Sequence, residues 1–461
     1  ILYAISQSMM AQQPRIVITG AGMTRFTRPQ ASPNDSSGYE FDQLAEQAAA
    51  EALRDSGIEY SSVAAVVASY CYGDPACGQQ VAYRLGLTGV PVFNVNNNCS
   101  SGSSAIALAR AILIANSTIG ANPGPVLVLG FEQMERGGLS RRYTDRPDPV
   151  GRHCDRIGAL GGNREPCSPG MSQWTSDVIR MFAGAASEYR DISGSAALTS
   201  EQLLASVAFK SRLHGSQNPR AMLSRAPKSA DDLLKAPLLS PPIRVSFCAP
   251  VATGAAAVVM ATESWWSNRR LPVTELVDQE LVSDFSDTFS DTNSGGYSSL
   301  CGLTQARVAS SRIYHRQRLN PKEQLALVEL HDCFASNELM LYEALGLADK
   351  GFAQQYFSSG RWIDSLNGDG SLYLTGRQVV NPSGGLMSKG HPLGASGVAQ
   401  CAEMSWQHRG LAGRRQVPAL DETDSNRWAL QHNFGLGSSC AVTLYRRYGS
   451  AALERGQGAK L

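Results

Sequence analysis

Four short stretches of this chain set reactive side chains among residues that hold backbone turns. In VNNNCSSGSS (95–104), Cys99 stands between three asparagines and a run of Ser and Gly. In ELHDCFASNE (329–338), His331 and Cys333 are two apart, so an extended backbone points both the same way and Asp332 the other. In NPSGGLMSKGHPLGASG (381–397), His391 is held between Gly390 and Pro392, and the surrounding glycines argue against regular structure before Pro392. In QHNFGLGSS (431–439), Gly435 and Gly437 follow a strand-like run and expose backbone amides.

The chemistry open to such a set is nucleophilic. A thiol at the mouth of a helix meets free N–H groups and the positive end of the helix dipole, which lower its pKa and favour the thiolate. Glycine amides nearby could donate to an oxyanion. The bland alternative is a buried structural cysteine and histidines satisfied by the core.

The elements that must position these loops read as an alternation of strands and helices. Residues 15–23, 63–70, 91–96 and 125–132 are short β-branched or apolar runs, the last three expected to be buried strands. Residues 41–53 carry apolar side chains at helical spacing, and 104–115 are apolar enough for a buried helix. The second half repeats the theme. Strands are expected at 271–282, 325–332, 427–433 and 440–447, and helices at 336–347 and 393–409. Alternation of this kind predicts layered α/β architecture, and the similar halves suggest a duplication without an evident residue-level repeat. Between them, 136–245 has weaker periodicity, apart from a helical pattern near 201–213. Residues 203–245 hold seven Lys/Arg against Asp231 and Asp232, either a solvated face or an anion-binding insertion.

Composition narrows the function. At 461 residues the chain exceeds one ordinary domain, and a net charge of +1 gives no general pull toward nucleic acid or a membrane surface. The ten cysteines form no C-x-x-C pair and no Cys/His ligand spacing, so reduced thiols are expected rather than disulfides or zinc. Lacking a run of about 18 apolar residues, the sequence predicts no integral membrane segment. GAGMTRF (20–26) lacks the third glycine of a dinucleotide loop. The chain closes on Ala459-Lys460-Leu461, a variant of the peroxisomal Ser-Lys-Leu address, so a peroxisomal import receptor is an expected partner; mitochondrion or cytoplasm are the alternatives.

Together, NNNCSSGSSA, VELHDCFASNELMLYEALGL, NPSGGLMSKGHPLGASG and HNFGLGSSCAVTLY resemble the four catalytic loops of thiolases, and more narrowly those of the sterol-carrier-protein type. The resemblance runs from about residue 14 to 448. It implies a thiolase fold, two similar layered halves (α-β-α-β-α) with an inserted loop domain. The expected division is 14–135 plus 246–265 for the first half, 136–245 for the coenzyme A-binding insertion and 266–448 for the second half. Residues 1–13 and 449–461 would be tails, with no fused sterol-carrier domain. A homodimer or homotetramer is implied.

The implied activity is cleavage of a 3-oxoacyl-CoA by CoA to acyl-CoA and acetyl-CoA, or the reverse Claisen condensation, in lipid metabolism. Coenzyme A is then a substrate, and no metal is expected. Carried over by motif, Cys99 is the nucleophile, His391 its base and Cys333 the acid/base. His331 and His391 stabilise the enolate oxygen, and the amides of Cys99 and Gly435 form the acyl oxyanion hole. Asn433 and Gly390 support the site. Commoner thiolases carry the acid/base cysteine in a C-x-G loop, which here reads Asn433-Phe434-Gly435. Cys440 is expected in the core, and Thr253 replaces an aspartate found in many relatives. The alternatives are a β-ketoacyl synthase-like condensing enzyme and a catalytically weak acyl-CoA or lipid-binding protein.

Overall fold

The computed structural model describes residues 13–29, 40–120, 124–135, 139–141, 143–161, 167–193, 200–266, 272–290, 296–353, 357, 365–366, 372–373, 378–420 and 428–449. The C-terminal tripeptide and most of both expected tails lie outside them.

Ten strands form the main sheet among the described residues. In the first half these are β1 (Ile16–Met23), β2 (Ala65–Ser69), β3 (Val92–Val95), β4 (Val126–Glu132) and β5 (Gly254–Thr262). The second half contributes β6 (Val273–Val282), β7 (Leu325–Glu329), β8 (Val379–Val380), β9 (Trp428–Gly435) and β10 (Ser439–Tyr448). Their spatial order is 3-2-4-5-1-6-10-9-7-8. Counting the second half from its own first strand gives 3-2-4-5-1 followed by 1-5-4-2-3. The order is a palindrome. Pairing senses repeat as well: the first strand of each half is antiparallel to its fifth, the fifth antiparallel to the fourth, and the second parallel to the fourth and third. The halves meet where β1 runs antiparallel to β6, Ile16 opposite Leu276 and Ile18 opposite Thr274. Such an order is what duplication of one α/β unit about a twofold produces.

Alternation along the strands sorts side chains into three apolar spaces. Val17, Val66, Leu127 and Val259 face outward onto helix α1 (Phe41–Ser56). Ile16, Ile18, Val128 and Met260, with Leu327 and Ala429 from the other half, enclose helices α2 (Ser101–Ile119) and α7 (Leu393–His408). Val328, Leu430, Val442 and Leu444 face the far side, covered by α5 (Leu303–Gln317) and α6 (Ala335–Ala344). The result is five layers, α-β-α-β-α. Between β4 and β5 the chain leaves the sheet and builds α3 (Gln173–Ser193) and α4 (Ser200–Ser216), which share that last core with the second half.

Three expectations are corrected. The run 91–96 is an edge strand, not a buried one, with Phe93 41% exposed. The 104–115 helix is buried on one face and not all round: Ala105, Ile106, Ala109 and Leu113 are buried, Ala111 and Ala115 are exposed and Ile119 is 75% exposed. By length and composition α2 is apolar enough to cross a membrane, but its first turns are sealed against α7 and the sheet. Residues 381–397 are not irregular up to Pro392, because Gly385–Lys389 closes a helical turn. The Thr253 hydroxyl accepts the Met134 N–H at 3.1 Å.

Candidate active site

Cys99 sits on the turn between β3 and α2. Asn98 adopts a left-handed φ of 49°, which asparagine tolerates better than most side chains. The polar run around it serves this turn. Ser100 and Ser101 hydroxyls donate to the carbonyls of Asn97 and Asn98, the Asn97 N–H donates to Ser101 Oγ, and Asn98 Nδ2 reaches the Leu436 carbonyl at 2.6 Å. Gly435 is pressed against the same turn, since a Cβ there would lie 2.1 Å from the Asn97 oxygen.

His331 and Cys333 follow β7. Asp332 does turn away from them: its carboxylate accepts the N–H groups of Leu386 (2.7 Å) and Met387 (3.3 Å) at the start of the helical turn that leads to His391. Asn337 Nδ2 donates to the His331 carbonyl at 2.6 Å, and the Ala249 N–H to the Cys333 carbonyl at 2.8 Å.

His391 follows Gly390, whose φ of 105° is open to glycine and strained for other residues. Its own N–H is anchored on the Pro250 carbonyl at 3.0 Å, and α7 begins two residues on. Behind it the buried Glu132 carboxylate accepts N–H groups from Tyr72, Cys71 and Gly394, tying the ends of β2 and β4 to the first turn of α7.

Thus three loops from both halves converge. The Cys99 sulfur and one ring nitrogen each of His331 and His391 all lie within 4.8 Å of one another. The two imidazoles meet edge-on, centroids 5.2 Å apart. Nδ1 of His391 is hydrogen-bonded to Ser396 Oγ at 2.8 Å, and its Nε2 has no protein partner among the described residues. Nδ1 of His331 is 2.9 Å from Asn433 Nδ2. Cys333 leaves the same strand end as His331, and after burial the Cys99 charge is the largest influence on its thiol. Sulfur and imidazole are also zinc donors, so among the described residues this trio is where a borderline-soft metal ion would find three ligands.

The electrostatics overturn one expectation. The helix mouth does not make Cys99 a ready thiolate. Burial and then the Glu132 charge push its pKa up to about 12, against a smaller pull from the N–H groups of Cys99 and Leu436. Cys333 is raised well above the usual thiol range, mainly by burial. Burial holds His391 down to about 4 and His331 well below its ordinary value. At neutral pH the resting site is therefore uncharged thiols facing uncharged imidazoles.

The basic insertion is also largely absorbed by the fold. Lys210 pairs with Glu338, Arg220 with Glu51, Arg244 with Glu201 and Lys235 with Asp232. Arg212, Arg225 and Lys228 have no ion pair among the described residues. Cys440 is fully buried in β10, as expected of a core residue. Sequence reasoning passed over Ser103, Gln431 and Leu436, which reach the site through hydrogen bonds between distant segments, and Ser396, which bonds the His391 ring five residues before it.

Loops of this kind, on a duplicated five-layer scaffold, define a thiolase. Family models agree: residues 16–146 match the thiolase N-terminal domain and 289–445 the thiolase C-terminal domain-like model. The chain belongs to the thiolase family. Within it, the chain is of the sterol-carrier-protein type: it is 37% identical over 445 residues to sterol carrier protein 2 of Oryctolagus cuniculus, covering 96% of this chain and 73% of that protein. Among solved structures, the Ltp2-ChsH2(DUF35) aldolase superimposes with a TM-score of 0.68 at 20% identity, over 94% of this chain and 98% of its own. The human mitochondrial 3-ketoacyl-CoA thiolase in complex with CoA gives 0.64 at 17%, over 95% and 100%. At those identities the likeness is one of fold.

Proposed function

We propose that this protein is a CoA-dependent 3-oxoacyl-CoA thiolase working through an acyl-Cys99 intermediate. The observation that carries the reading is the convergence of Cys99, His331 and His391 from three loops. With the resting pair neutral, His391 takes the Cys99 proton as the sulfur bonds to the 3-oxo carbon. The bond between C2 and C3 breaks, its electrons pass to an acetyl-CoA enolate, and Cys333 protonates that carbon. A CoA thiol then gives its proton to the Cys333 thiolate and takes the acyl group, and Cys99 leaves with the proton held by His391. Run backward, the same groups perform a Claisen condensation. His331 and His391 face the enolate oxygen, and the amides of Cys99 and Gly435 the acyl oxyanion. Removing one such donor typically raises the barrier by about 3 kcal/mol.

A homodimer suits this reading. The strand before Cys99, β3, is a sheet edge bearing exposed Phe93, and Tyr83 and Leu87 are 62% and 84% exposed. An unpaired edge with apolar neighbours fits a second copy of this chain.

The test is a panel of 3-oxoacyl-CoA chain lengths with free CoA, following loss of the 3-oxo thioester. Turnover by the wild type and its loss in Cys99→Ala support the reading. No turnover on any chain length, with Cys99 still alkylatable, would favour a binding protein. Cys333→Ala separates thiolase from synthase, because a synthase would keep its condensation.

A further inference from the structure

The two active-site imidazoles are buried in one cluster, yet the reaction proposed above asks opposite things of them. His391 must accept a proton, and His331 must donate a hydrogen bond to an enolate oxygen. Their hydrogen-bond partners differ in a way that meets this demand.

On the His391 side, Ser396 Oγ lies 2.8 Å from the Pro392 carbonyl and 2.8 Å from His391 Nδ1. A hydroxyl has one hydrogen. Given to the carbonyl, which can only accept, it leaves Ser396 accepting from Nδ1–H. Nε2 then carries a lone pair and has no protein partner among the described residues.

On the His331 side, a longer chain begins at a backbone carbonyl. Gln431 Nε2 donates to the Gly397 carbonyl at 2.7 Å and to Ser103 Oγ at 2.9 Å, while its Oε1 accepts from the Tyr445 hydroxyl at 2.7 Å. Ser103, accepting from Gln431, passes its single hydrogen to Asn433 Oδ1 at 2.9 Å. The amide nitrogen of Asn433 therefore faces His331 Nδ1 at 2.9 Å and donates to it. An Nδ1 that accepts cannot hold the proton, so the neutral ring carries it on Nε2.

We propose that these two chains lock the imidazoles in opposite tautomers, Nδ1–H at His391 and Nε2–H at His331, with Asn433 as the positioning residue for His331. Asn433 occupies the place where commoner thiolases carry the second cysteine. It touches no substrate in this scheme; it fixes which way His331 presents its hydrogen. This inference rests on the proposed reaction only for its use, since the tautomers are measurable without substrate.

The experiment is two-bond proton–nitrogen correlation of the full-length protein labelled with nitrogen-15 histidine. The chain holds seven histidines, and His331→Gln and His391→Gln spectra assign the two of interest. Opposite tautomers in the wild type are expected. In Asn433→Asp the carboxylate accepts from His331 and draws a proton onto Nδ1. The kcat should then fall about 10²–10³-fold. Ser103→Ala, which cuts the chain one link earlier, should give a smaller loss and a mixture of His331 tautomers. Identical tautomers in the wild type overturn the proposal, whatever the variants do. So does an Asn433→Asp protein in which His331 Nδ1 stays unprotonated. Opposite tautomers combined with full turnover by Cys99→Ala would instead sink the proposed reaction and leave the tautomer assignment standing.

Discussion

Replacing Gly102 with alanine drives a methyl group into the backbone of the neighbouring helix. Helices α2 and α7 cross at Gly102 and Gly397, and a Cβ on Gly102 would lie 2.7 Å from the Val398 nitrogen and 3.0 Å from the Gly397 Cα. Ordinary contact begins at 3.4 Å, so the backbones must part by about 0.7 Å. No side chain can swing aside, because the obstacles are main-chain atoms. Cys99 lies just before α2 and His391 just before α7, so this separation opens the distance between nucleophile and base. A misplacement of about 1 Å can cost on the order of 10²-fold in rate. Gly102→Ala should therefore lower kcat about 10- to 100-fold, with overpacking reducing stability by about 1–3 kcal/mol. The assay is steady-state turnover of a 3-oxoacyl-CoA with CoA, beside thermal unfolding. Gly158→Ala is the control, because nothing lies within 4 Å of the added Cβ. A Gly102→Ala protein with kcat within about twofold of the wild type would refute the claim that this crossing sets the catalytic distance.

Further predictions follow from the titrating groups. With the Cys99 thiol pushed up to about 12, its alkylation by iodoacetamide without substrate should rise close to tenfold per pH unit from pH 7 to 10; a plateau by pH 8 would show a helix-activated thiolate instead. Burial holds His391 at about 4 and His408 and His432 at about 3, below the 6.5 of an unfolded chain. The unfolded state then binds more protons below pH 6.5, so stability falls with acid. Each of the three should contribute about 2 kcal/mol less at pH 5 than at pH 7. Chemical denaturation across that range checks this, and an unchanged midpoint would contradict it.

Much of the fold was legible because strands buried on both faces read as continuous apolar runs, as in VLVLGFE and LALVE. β3 misled for a physical reason. Its Val and Phe suit a strand at any place in a sheet, and nothing in four residues marks an edge. The duplication was visible only as a theme, since its palindromic order is a matter of pairing that residue types do not encode. In the site, the loops that bring Cys99, His331 and His391 together were legible as reactive stretches. The Cys99 pKa was not, because the helix dipole is a local property that sequence shows, while burial and the Glu132 charge come from packing of distant segments. For the same reason Ser103 and Gln431 passed unremarked. Their roles lie in contacts between loops far apart in the chain, such as the 2.9 Å bond from Ser103 to Asn433.

The central claim is that Cys99 carries the acyl group. Mixing the protein with a 3-oxoacyl-CoA in the absence of free CoA, then measuring intact and peptide masses, tests it most directly. The account predicts an adduct on Cys99 equal to the substrate acyl chain shortened by two carbons, with one acetyl-CoA released per site and the adduct cleared on adding CoA. Turnover without any adduct on Cys99, or an adduct that persists in Cys99→Ala, would contradict it.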